Sequence, residues 1–145
     1  MFGKLFLLVK KHAGTALNEN PVIPASYHES VINEASSSII EVLKTQMENG
    51  KLRELIRFFQ FSGGYNHYVV TSIVNKFANR LNKYYNIEPK AALEVANKLI
   101  PAVMDDLIKE TKSGSKEFAL SNMLSVINGN RADLSGIVNH MMLVA

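Results

Sequence analysis

Apolar residues recur along this chain at i, i+3, i+4 and i+7, and no stretch alternates convincingly with period two. That pattern restricts the chain to helices, because a strand buries every second side chain and a helix buries one stripe. The first helix is expected over 2–17, with Phe2, Leu5, Phe6, Val9, Ala13 and Ala16 on one stripe and Leu7 and Leu8 off it. Two prolines and two asparagines in 18–24 make a loop. A second helix over 26–48 is stopped by Asn49-Gly50. A short third one carries Leu52, Leu55, Ile56 and Phe59 and breaks at Ser62-Gly63-Gly64.

The fourth helix, over 66–84, has Val69, Val70, Ile73, Phe77 and Leu81 on its inner face. Glu88-Pro89 opens the fifth, where proline suits the first helical position. This helix is apolar round most of its circumference, from Ala92 to Ile108, so it should be buried at the centre. Pro101 lies inside it and should kink it or split it. A sixth helix holds Phe118, Leu120, Met123, Leu124 and Ile127. Asp133 caps a last one, in which Leu134, Ile137, Val138 and Met141 form a clean stripe.

The order long, long, short occurs twice. Ala35, Ile39, Val42 and Leu43 match Ala96, Ile100, Val103 and Met104 at one constant shift. Leu52, Leu55, Ile56 and Phe59 have the spacing of Leu120, Met123, Leu124 and Ile127. The expected architecture is therefore a single all-α, multihelical domain spanning 1–145. It would contain a duplicated three-helix unit (1–64 and 65–130), one buried central helix in each half, and an extra C-terminal helix over 133–144.

The chain resembles the YidB-like family of uncharacterised bacterial multihelical proteins. The likeness is carried by the opening Met1-Phe2-Gly3-Lys4-Leu5-Phe6 and by Ala96-Asn97-Lys98-Leu99-Ile100-Pro101-Ala102-Val103-Met104. Phe118-Ala119-Leu120, Met123-Leu124 and Asn128-Gly129 add to it. The resemblance implies a fold with two buried central helices and implies no activity.

Composition excludes several classes of function. With no cysteine among 145 residues, disulfides, thiolate metal sites and cysteine nucleophiles are ruled out, which suits a reducing compartment. Sixteen basic against thirteen acidic side chains leave a net charge of +3, dispersed along the chain. Nucleic-acid binding is disfavoured, since it would need Lys10, Lys11, Arg53, Arg57, Lys76, Arg80 and Lys83 to gather on one face. The apolar run Leu5 to Val9 is too short for a signal-peptide core, and no stretch is long enough to span a membrane. A soluble, cytoplasmic protein is expected, with peripheral membrane contact through Lys4, Lys10 and Lys11 disfavoured.

Catalytic chemistry finds no purchase. His12, His28, His67 and His140 have no partner at metal-binding spacing, so no metal and no cofactor are expected. Asp105 and Asp106 point about 100° apart on a helix and read, with Glu110, as solvated surface. Ser113-x-x-Lys116 lies in a loop without the companion elements of serine acyl transfer, and Gly63-Gly64 lacks the lysine of a phosphate loop. Ser36-Ser37-Ser38 is read as close helix packing, its hydroxyls bonded to the preceding turn.

What remains is surface. Phe58, Phe59, Phe61, Tyr65 and Tyr68 crowd an elbow around Gly63-Gly64, and five aromatic rings there cannot all face one core. Phe61, Tyr65, His67 and Tyr68, with Ile137, Met141 and Met142 of the last helix, form the candidate interaction surface. The expected function is a non-catalytic module that binds a protein partner or forms a homo-oligomer. The alternative is a small apolar ligand or lipid held near Ile40, Val103 and Met104.

Overall fold

The computed structural model describes residues 2–18, 23–61, 67–113 and 119–128, together with 138 and 142. Six helices follow one another: α1 (Phe2–Asn18), α2 (His28–Glu48), α3 (Leu52–Phe61), α4 (Tyr68–Tyr85), α5 (Pro89–Lys112) and α6 (Leu120–Ile127). A single 3-10 turn, Ala25–Tyr27, leads into α2. No strand occurs among the described residues, and one continuous apolar core joins all six helices. The molecule is an all-α single domain.

The four long helices close into an array. α1 packs against α2 and α5, and α4 packs against the same two. α3 lies against α2 and α5, and α6 against α2. Exchanging α1, α2 and α3 for α4, α5 and α6 maps the pair α1·α2 onto α4·α5, α1·α5 onto α4·α2, and α3·α5 onto α6·α2. The buried positions follow the same exchange. Leu5, Leu8, Val9, Ala13 and Ala16 of α1 stand at one constant shift from Val70, Ile73, Val74, Ala78 and Leu81 of α4, and all ten are buried.

One sequence expectation is corrected by this packing and another is narrowed. Leu8 is buried, although it falls off the main stripe of α1, while Leu7 is 58% exposed. Contact with two helices at once widens the buried arc of α1 beyond a single line. Pro101 does not split α5, which runs as one helix from Pro89 to Lys112. The carbonyl that loses its N–H partner belongs to Asn97, an exposed residue that water can serve. Ala96, Leu99, Ile100, Val103 and Met104, all fully buried, hold the helix on both sides of the proline.

The helix ends are locally specified. Gly50, at φ 75°, follows α2 where the Asn49-Gly50 stop is expected. Asn86 takes the left-handed conformation (φ 54°) after α4, and the Ile87 N–H returns to the Leu81 carbonyl at 3.3 Å. The Ser36 and Ser38 hydroxyls donate to the carbonyls of Ile32 (3.0 Å) and Glu34 (2.8 Å), which satisfies them one turn back.

Candidate functional site

The elbow between α3 and α4 divides its aromatic rings between core and solvent. Phe58 and Phe59 are buried and meet edge to face, with ring centres 5.1 Å apart. Phe61, the last residue of α3, is 67% exposed. Tyr68, the first of α4, is 44% exposed. His67 sits between these two environments. Its ring lies 4.6 Å from that of Phe58 and 4.7 Å from that of Tyr68.

His67 is also the N-cap of α4. Its backbone is extended, and its Nδ1 accepts a hydrogen bond from the Val69 N–H at 3.2 Å. Burial beside Phe58 holds its imidazole below the ordinary histidine value. The Tyr68 hydroxyl donates to Gln46 Oε1 on α2 at 3.1 Å, and Lys51 Nζ stands 5.9 Å from the centre of its ring. The exposed tyrosine is thus tied to α2 and to the residue that precedes α3. Of the remaining sequence candidates, Tyr65, Ile137 and Met141 lie outside the described residues. Val138 is fully buried and Met142 is 37% exposed.

A second cluster is one that the sequence reading placed in solvent. His12 Nε2 on α1 lies 2.9 Å from Asp106 Oδ2 on α5, and Lys11 Nζ lies 3.2 Å from the same oxygen. Burial opposes ionisation of Asp106. Hydrogen bonds from His12 and Lys11 outweigh it and hold the carboxyl below its ordinary value. Neighbouring Asp105 pairs with Lys109 at 3.1 Å. No sequence spacing marks the His12–Asp106 pair, because only the packing of α1 on α5 brings the two together.

The basic side chains that nucleic-acid binding would require are in part committed elsewhere. Lys11 is held by Asp106, Lys76 lies 3.3 Å from Glu41, and Arg80 pairs with both Glu41 and Glu34. Val103 and Met104 are fully buried and Ile40 packs against the core. Among the described residues, no group of three or more His, Asp or Glu side chains is placed to hold a metal ion. No helix among them is long and apolar enough to cross a membrane.

Clefts open instead along the outside of α4. One of about 440 Å³ is lined by Asn75, Ala78, Asn79 and Asn82 of α4 with Pro89 and Leu93 of α5. The next, of about 430 Å³, continues past Asn75 and Leu93 to Asn97 and Pro101. A third, of about 450 Å³, lies on the α2 side of α4 and reaches Gln46, the partner of Tyr68.

No family model, no curated protein and no solved structure matches the chain.

Proposed function

We propose that this chain is a non-catalytic helical interaction module. It is built on a duplicated three-helix unit, and it binds a protein partner or a second copy of itself through the aromatic elbow and the last helix. The observation that carries the reading is the pair Phe61 and Tyr68, large apolar side chains at 67% and 44% exposure. Tyr68 is anchored to α2 by its Gln46 hydrogen bond, beside the His67 cap of α4. Aromatic residues presented on a rigid base, with a cation beside them, are the usual anchors of protein interfaces. The matched helix pairs and buried positions of the two halves support the duplication. A cysteine-free chain suits the cytoplasm, where such a module would act.

Sedimentation velocity at micromolar concentration, with and without Phe61→Ser and Tyr68→Ala, tests the self-associating form. A dimer that dissociates in the double variant is the expected result. For the partner-binding form, quantitative affinity purification compares the same two proteins. A strictly monomeric chain whose variant retains the same partners in the same amounts overturns the reading.

A further inference from the structure

α4 turns a line of uncharged polar side chains outward, Thr71, Asn75, Asn79 and Asn82, all exposed. Asn97 of α5 lines one cleft with Thr71, Asn75 and Leu93, and Asn75 and Leu93 also line the adjoining cleft that holds Asn79 and Asn82. The fold makes a cleft at the equivalent place in the other half. There, between α1 and α2, about 220 Å³ is lined by Lys10, Ala13, Gly14 and Leu17 with His28 and Ile32. Those residues stand at the register of Asn75, Ala78, Asn79 and Asn82 with Pro89 and Leu93. Helix packing therefore accounts for the cleft, but it does not account for the carboxamides that furnish one copy of it.

The side chains of Asn75, Asn79 and Asn97 make no hydrogen bond among the described residues. Asn82 has a structural task, its Nδ2 donating to the Ile87 carbonyl at 2.9 Å. Asparagine is a poor choice inside a helix, since its amide competes for backbone partners. Solvation alone would be better served at these positions by lysine, glutamate or glutamine.

A carboxamide both donates and accepts, and so complements a peptide group. Four residues of helix rise about 6 Å, close to the roughly 6.6 Å repeat of two residues in an extended chain. Asn75 and Asn79 are therefore spaced to meet successive peptide groups along one edge of a strand-like segment. The cations flanking them on α4, Lys76 and Arg80, are paired with Glu41 and Glu34, and the residues that line the cleft itself are uncharged. Leu93, at 41% exposure, and buried Val70 and Val74 give the cleft an apolar floor.

We propose that the α4–α5 cleft binds an extended, uncharged segment of a partner protein through its backbone. Asn75 and Asn79 pair with successive peptide groups, Asn97 contacts the opposite edge, and Leu93 receives an apolar side chain. The proposal rests on the reading of the chain as an interaction module but is independent of the elbow.

The test selects peptides from a displayed random library on the whole protein and measures one labelled winner by fluorescence anisotropy. Asn75→Ala with Asn79→Ala should weaken it by at least about tenfold, the scale of two lost hydrogen bonds. Circular dichroism checks that this variant stays folded. Methylating alternate backbone nitrogens of the peptide should abolish binding, whereas Phe61→Ser with Tyr68→Ala should leave it unchanged. The proposal is overturned if no peptide is enriched, if the asparagine variant binds equally well, or if N-methylation is harmless. A peptide lost only in the elbow variant also overturns it, while upholding the reading of the elbow.

Discussion

Asp106 on α5 and His12 on α1 are hydrogen-bonded at 2.9 Å across 94 positions of sequence. With Lys11 on the same carboxylate oxygen, the pair ties the first long helix to the last one. Asp106 is only partly exposed, so this contact is screened less than an ordinary surface ion pair.

Removing one side of the pair should therefore be measurable. His12→Ala and Asp106→Ala in a double-mutant cycle should give a coupling of about 1 kcal/mol in urea unfolding. A coupling indistinguishable from zero would make the contact incidental.

The same pair predicts an acid limb. Because the folded state holds the Asp106 carboxyl below 3.8, the unfolded chain takes up that proton first. The stabilisation is present above the ordinary carboxylate value and is lost as the pH falls through the folded value. Asp106→Asn should flatten the fall in urea midpoint between about pH 5 and pH 2, the range over which such carboxylates titrate.

His67 adds a second pH dependence, at higher pH. Its imidazole is held below 6.5, and its Nδ1 must be unprotonated to accept from Val69. The cap therefore contributes fully above that value and is lost as the pH drops through the folded one. His67→Asn should keep a cap and remove this dependence, whereas His67→Ala should cost about 1 kcal/mol at neutral pH. Thermal melts of the three proteins at neutral and mildly acidic pH separate the outcomes.

The α4 asparagines should be a cost to the fold. Asn75→Ala and Asn79→Ala are each expected to stabilise the protein by roughly 0.5 kcal/mol, the difference in helix propensity. A lowered melting temperature would mean that the carboxamides have a structural task.

Ser125 on α6 is buried, and among the described residues its Oγ has no hydrogen-bond partner. Ser125→Ala should raise stability by about 1 kcal/mol, since an unmet hydroxyl is removed from the interior. Urea midpoints at constant slope would measure it.

Much of the core was legible in the chain. The i, i+3, i+4 stripes place Val69, Val70, Ile73, Phe77 and Leu81 inward, and the structure buries them all. Of the candidate surface, Phe61 and Tyr68 are exposed as the crowding at the elbow implies. The cap formed by His67 was not legible, because histidine is not a usual N-cap residue and its role depends on the rings around it.

By itself, then, the sequence determined the all-helical class and most of the inward-facing residues of the described helices. These depend on periodicity and on stop signals such as Asn49-Gly50, which act within a few residues of one another. Only the tertiary structure decided which helices meet. From that came the burial of Leu8, the unbroken passage of α5 through Pro101, the His12–Asp106 pair and the cleft between Asn75 and Asn97. Each of these sets side chains from different helices against one another, and helical spacing carries no record of a neighbour on another helix.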